Sequence, residues 1–166
     1  MYHSLEEFYK DWAYESSATL KLLNLLTDES LNQRVTPDSR SLGFLANHLA
    51  HTIVEMPALT GIKVKVDCSA TEPPSSAKEI AEIYKKASDS LIEEIKKNWN
   101  DKTLEQEDNM YGEIWKRGYT LYCLILHQTH HRGQMTVLMR QAGLKVVGMY
   151  GPAKEEWAEM GMPAME

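Results

Sequence analysis

The chain has 166 residues, 43% hydrophobic and 25% charged, with a formal charge of −6. That is the size of one ordinary domain, with enough apolar content to build a core and to exclude wholesale disorder. The negative balance, with no basic run denser than Lys85–Lys86 or Lys96–Lys97, argues against phosphate-backbone binding, so no nucleic acid partner is expected.

Two cysteines, Cys68 and Cys123, without a CxxC, cannot make a disulfide framework. No stretch approaches the ~18 apolar residues of a membrane helix. Met1–Glu7 has neither the basic nor the apolar region of a signal peptide, so a cytoplasmic location and no membrane partner are expected.

Ser4-Leu5-Glu6-Glu7 fits a capping box, and Leu5, Phe8, Trp12, Leu22, Leu23 and Leu26 follow at roughly helical period, predicting a first helix over 5–27. Thr36-Pro37-Asp38-Ser39 reads as a helix start and Gly61 as a stop. The apolar positions Phe44, Leu45, Leu49, Met56 and Leu59 between them predict a second helix over 39–60. Residues 61–76, with Pro73-Pro74-Ser75-Ser76, have connector composition. A second capping box, Ser76 to Glu79, opens a third helix over 77–98, whose Ile80, Ile83, Tyr84, Ala87, Leu91 and Ile95 lie at 3-and-4 spacing. Residues 100–113 read as a polar loop with at most a little extended structure. A fourth helix is predicted over 115–142, ending at Gly143, and a short helix over 153–160 after Pro152. Four long helices without strands predict an all-α four-helix bundle with a short C-terminal extension, as a single domain over 1–166.

Histidines carry the chemistry. At about 100° per residue, His127 and His131 lie about 40° apart, one turn along one helix face, with Thr120, Cys123, Leu124, Gln134 and Leu138 near the same line. His48 on the second helix shares its face with Phe44, Leu45, Thr52, Met56 and Leu59. All three rings are therefore expected to point inward. An imidazole buried without partners costs on the order of 1–3 kcal/mol, and a divalent ion such as zinc or nickel would satisfy all three. A satisfied core histidine is the ordinary alternative for each ring. His51 and His130 lie about 60° off these lines and are second choices, as ligands or as groups behind the ligands. Gln128 follows His127, so there is no HExxH; nor is there a Glu-x-x-His pair. Gln134 reads equally as a group that orients a ligand and as a packing residue. Gly133 suggests a close helix approach. Arg132 is expected to face outward onto a carboxylate. Met135, Met139, Met149, Met160, Met162 and Met165 fit packing better than a soft-metal site.

The segments Ser41-Leu42-Gly43-Phe44-Leu45-Ala46-Asn47-His48 and His127-Gln128-Thr129-His130-His131-Arg132-Gly133-Gln134 resemble those of the DinB family, as do Arg140-Gln141-Ala142-Gly143 and Tyr150-Gly151-Pro152. The resemblance implies an up-down-down-up bundle in which residues 61–76 form a crossover. It places metal ligands at His48, His127 and His131, with zinc or nickel as the metal, and implies a homodimer. It offers two activities, a transferase acting with a low-molecular-weight thiol and a metal-dependent hydrolase. A non-enzymatic metal-binding or stress-response protein is the competing class. Three protein ligands leave a coordination position open, as in catalytic sites. Glu55 shares the His48 face but lies two turns along, roughly 10 Å, so no general base and no catalytic residue is assigned from sequence.

Overall fold

The computed structural model describes residues 1–163; of the positions discussed above, Met165 lies outside them. Four long helices make up most of the chain: α1 (Leu5–Leu23), α2 (Leu42–Ala58), α3 (Ala77–Asn98) and α4 (Arg117–Gln141). Each of the first three starts on a capping serine, of which Ser4 and Ser76 were legible in the sequence: the side chain of Ser4 accepts from Glu6 N, that of Ser41 from Phe44 N and that of Ser76 from Glu79 N. Ser41 also explains why α2 begins later than the Thr36-Pro37 signal suggested. Residues 36–39 form a tight turn closed by the Ser39 N–H on Thr36 O, and the extended Ser41 behind it is the true cap.

The helix order follows from long-range hydrogen bonds. The Tyr2 N–H, just before α1, donates to Gly118 O at the start of α4 at 3.1 Å, so these two starts share one end of the bundle. The Ala77 N–H at the start of α3 donates to Asp28 Oδ1, just past the end of α1, at 2.7 Å. Between α2 and α3 the connector turns at Gly61 and runs back along α2. Lys65 N donates to Ser90 Oγ (2.8 Å), Asn47 Nδ2 donates to Ser69 O (2.7 Å), and His51 Nδ1 meets Cys68 O at 3.2 Å. The topology is therefore up-down-down-up, with residues 59–76 as the crossover. α1 and α2 each pack on both α3 and α4, around a core that includes Phe8, Trp12, Leu22, Leu49, Ile53, Ile80, Tyr84 and Leu91.

One element departs from the all-helical expectation. Residues read as a polar loop form a short 3-10 turn (Asp101–Glu105) and an antiparallel hairpin, β1 (Glu107–Met110) and β2 (Glu113–Lys116). Its two-residue turn, Tyr111–Gly112, has both φ angles positive (58° and 93°), the twist-matched form that suits tight hairpins. The first helix ends at Leu23, earlier than expected, and the predicted C-terminal helix is only one 3-10 turn, Lys154–Glu156.

Candidate metal centre

α2 and α4 present their histidines to each other across one edge of the bundle. One ring nitrogen from each of His48, His127 and His131 lies within 4.8 Å of the other two. The Nε2 atoms of His48 and His127 are 3.0 Å apart. The ring centroids are 4.4 Å apart for His127 and His131 and 4.8 Å for His48 and His131. His131 is buried, while His48 and His127 are half-buried at the rim, so two of the three look into the pocket mouth and not into the core. The helix lines used on the sequence are close but not central. The core face of α4 runs through Leu121, Leu124, Gln128, Arg132 and Met135, and on α2 Leu59 is exposed.

Burial is the main cause of the rings' weakened basicity, with neighbouring rings and the Arg40 charge adding to it. Together they push His48 and His127 down to about 4, and they lower His131 despite the opposing bond from Gln134. At neutral pH the rings are uncharged and their lone pairs are available to a cation. Nitrogens at about 2.0–2.1 Å from a tetrahedral zinc stand roughly 3.3 Å apart, so the observed cluster fits one ion after small ring adjustments. His131 Nδ1 meets Gln134 Oε1 at 2.7 Å, which fixes the proton on Nδ1 and leaves Nε2 as the donor atom. Of the two readings of Gln134, the ligand-orienting one matches this bond.

His51 and His130 stand outside the cluster. His51 tethers the crossover through Cys68 O, and the exposed His130 meets Gln134 Nε2 at 3.1 Å. Two sequence expectations on α4 are overturned. Arg132 does not face outward: it is 2% exposed and pairs with the buried Glu15 carboxylate, while the Tyr150 hydroxyl reaches both. A carboxylate partner was expected, but burial was hidden because an arginine on a wheel reads as surface. No close helix approach explains Gly133, since nothing lies within 4 Å of where its Cβ would sit.

Gln128 was passed over and is fully buried. Its Nε2 donates to Leu49 O at 2.9 Å, while its Oε1 accepts from Tyr84 at 3.1 Å and from Thr19 at 3.4 Å. One side chain thus bonds to α1, α2 and α3, and it sets α4 against α2 one residue from both His48 and His127. Glu55, set aside on distance, belongs to the site after all. A pocket of about 330 Å³ is lined by His48, His127, Glu55, Tyr111, Trp115 and Cys123. The hairpin makes its lid: the Tyr111 hydroxyl donates to Glu55 Oε2 at 2.7 Å, and Trp115 packs edge-on against Tyr111 and Tyr119. The alternating Glu113-Ile114-Trp115-Lys116 after a Tyr-Gly pair was the available sequence signal. Burial pushes the Cys123 thiol up, so in the metal-free pocket it is an uncharged side chain in the wall.

The fold and site define a class: an up-down-down-up helical bundle with three histidines converging between its second and fourth helices. The DinB family profile matches residues 1–164. The uncharacterized protein YrdA of Bacillus subtilis (strain 168) is 46% identical over 164 residues, covering 99% of this chain and 98% of that protein. The chain belongs to the DinB family. The crystal structure of a DinB-like protein from Bacillus cereus ATCC 10987 is 42% identical and superposes with a TM-score of 0.87, covering 90% of this chain and 100% of the other. A second DinB-like crystal structure, from Bacillus subtilis, is 15% identical with a TM-score of 0.63, over 89% of this chain and 99% of the other; it shows the shared fold. Among the described residues no helix is long and apolar enough to cross a membrane.

Proposed function

We propose that His48, His127 and His131 hold one divalent ion, zinc or nickel, and that the site acts on a small molecule, with a low-molecular-weight thiol as the favoured co-substrate and metal-dependent hydrolysis as the other chemistry the site could run. The observation that carries this reading is the convergence of three uncharged ring nitrogens within 4.8 Å beside an open pocket. Such an ion, held by three protein ligands, supplies Lewis acidity and an open position to a water or thiol.

The remaining work falls to the chain. Gln134 fixes the His131 tautomer, and Gln128 holds the two helices in register. Glu55 is placed to accept a proton from a group entering the pocket. The Tyr111 hydroxyl donates to Glu55 and so holds that carboxylate at the edge of the pocket. The testing experiment loads the protein with zinc or nickel and supplies a low-molecular-weight thiol and chlorodinitrobenzene. Thiol conjugation above the uncatalysed rate, lost in His127→Ala and slowed in Glu55→Gln, is the expected result. No rate enhancement with any thiol, in protein shown to contain metal, favours the non-enzymatic metal-binding alternative.

A homodimer is part of the same proposal. Tyr119, Tyr122 and Leu126 are exposed on one side of α4, at helical spacing that also includes Gly133. A second copy packed on this stripe would cover it. Light scattering should report a dimer that Leu126→Glu converts to monomer; a monomeric wild type across micromolar concentrations refutes it.

A further inference from the structure

A second pocket, of about 350 Å³, lies between the loop before α2 and the second half of α4, and it meets the histidine cluster at Gln134. Its polar lining is Arg40, Ser39 and Gln134, and its apolar lining includes Leu45, Val137 and Leu138. Gln134 is the wall shared with the metal centre, through its bond to His131. Arg40 sits in a stack: its guanidinium lies 5.0 Å from the Phe44 ring, and Phe44 stacks on His48 at 5.8 Å and 17°. Two short steps therefore link the cation to a ligand ring. Its charge is felt by all three histidines.

Arg117, Arg132 and Arg140 each pair with a carboxylate; among the described residues Arg34 and Arg40 do not, and Arg34 is engaged on Ser39 O. The loop that carries it is preformed. Ser39 Oγ accepts from Val35 N and Thr36 N at 3.1 Å each and donates to Thr36 O at 2.8 Å, and Leu42 N donates to Gln33 O at 2.9 Å. Arg40 is exposed on a hydrogen-bonded loop, separated from His48 by the Phe44 ring, so its guanidinium is free to meet an anion. Its planar fork matches a carboxylate in two parallel hydrogen bonds, and the adjacent start of α2 adds a favourable field for negative charge.

We propose that Arg40 is the anion-recognition residue of this site: it binds the carboxylate of a small thiol acid whose sulfur occupies the open position beside His48, His127 and His131, its carbon chain lying along the apolar wall of the second pocket. The proposal rests on the metal-site reading above. Sulfur suits the metal end because a borderline-soft ion favours it, and the Phe44 ring standing between Arg40 and His48 favours a chain of several carbons over the shortest thiol acids.

The test is calorimetric titration of zinc- or nickel-loaded wild type, Arg40→Gln and Arg40→Lys with ω-mercaptocarboxylates of increasing length and with mercaptoalcohols of the same lengths. Metal content is measured on every sample. The expected result is a preference of roughly tenfold for the acid over the alcohol at the matching length. Arg40→Gln should abolish that preference while keeping metal and mercaptoalcohol affinity, and Arg40→Lys should keep part of it. Equal affinity for acid and alcohol in metal-loaded wild type, or an undiminished preference in Arg40→Gln, overturns the proposal. A wild type that takes up no metal overturns the metal-site reading, and this proposal with it.

Discussion

Replacing Gln134 by Ala removes the acceptor on His131 Nδ1, a bond of 2.7 Å to a ring that is only 4% exposed. Losing a partner of this kind behind a metal ligand costs about 10–100-fold in metal affinity. Gln134 is itself exposed, so water can replace it in part, and the lower end of that range applies: about tenfold, or ~1.4 kcal/mol. The assay is competition with a chromophoric chelator at neutral pH. His130→Ala is the matched control, because His130 bonds the other end of the Gln134 amide and meets His131 only by edge-on ring packing at 4.9 Å, with no hydrogen bond to it. It should change affinity less than threefold (roughly within ±0.5 kcal/mol, as for a surface change). Gln134→Ala binding metal within twofold of wild type, or His130→Ala losing as much, would refute the orienting role.

Arg132→Met should destabilise the fold by about 3–5 kcal/mol, because it strands the buried Glu15 carboxylate, whereas Glu15→Leu with Arg132→Met should recover most of that loss. Urea unfolding of the single and double variants checks it, and a double variant no better than Arg132→Met contradicts it. Gly118→Ala should fail to fold or lose several degrees of thermal stability, since its Cβ would sit 2.2 Å from Tyr2 O, which is backbone and cannot step aside. A near-wild-type melting temperature speaks against that packing. The metal-free protein should lose stability as pH falls from about 6.5 toward 4, because the folded rings resist protonation while unfolded histidines titrate near ~6.5. The ring contribution is complete above that window. A variant carrying His48→Gln and His127→Gln should lack this part of the pH dependence, and identical unfolding profiles for the two proteins would rule the rings out as its source.

Helix placement was legible because capping serines and 3-and-4 apolar spacing are local signals; α3 was found with its observed bounds, Ala77–Asn98, behind the cap Ser76. Helix faces singled out His48, His127 and His131 as inward-facing candidates, and the resemblance to the DinB family joined them into one ligand set. What stayed hidden depends on tertiary partners. Gln128 and Arg132 are polar residues in a core face, satisfied by Leu49, Tyr84, Glu15 and Tyr150 from distant parts of the chain. A wheel scores them as surface and so shifts the apparent apolar line toward the histidines. Glu55 looked remote because axial distance along one helix ignores the hairpin that reaches across to it through Tyr111. The hairpin was read as loop because Tyr111-Gly112 lacks the Asn-Gly or Asp-Gly signature that usually announces such a turn.

The most direct test of the account is elemental analysis of the purified protein after loading with zinc or nickel and removal of free ion, run beside a variant carrying His48→Ala, His127→Ala and His131→Ala. The account predicts one metal per chain in wild type, none in the triple variant, and no change in His3→Ala, whose ring lies exposed by Glu105 away from the cluster. Stoichiometric metal in the triple variant, or none in the loaded wild type at neutral pH, would contradict it.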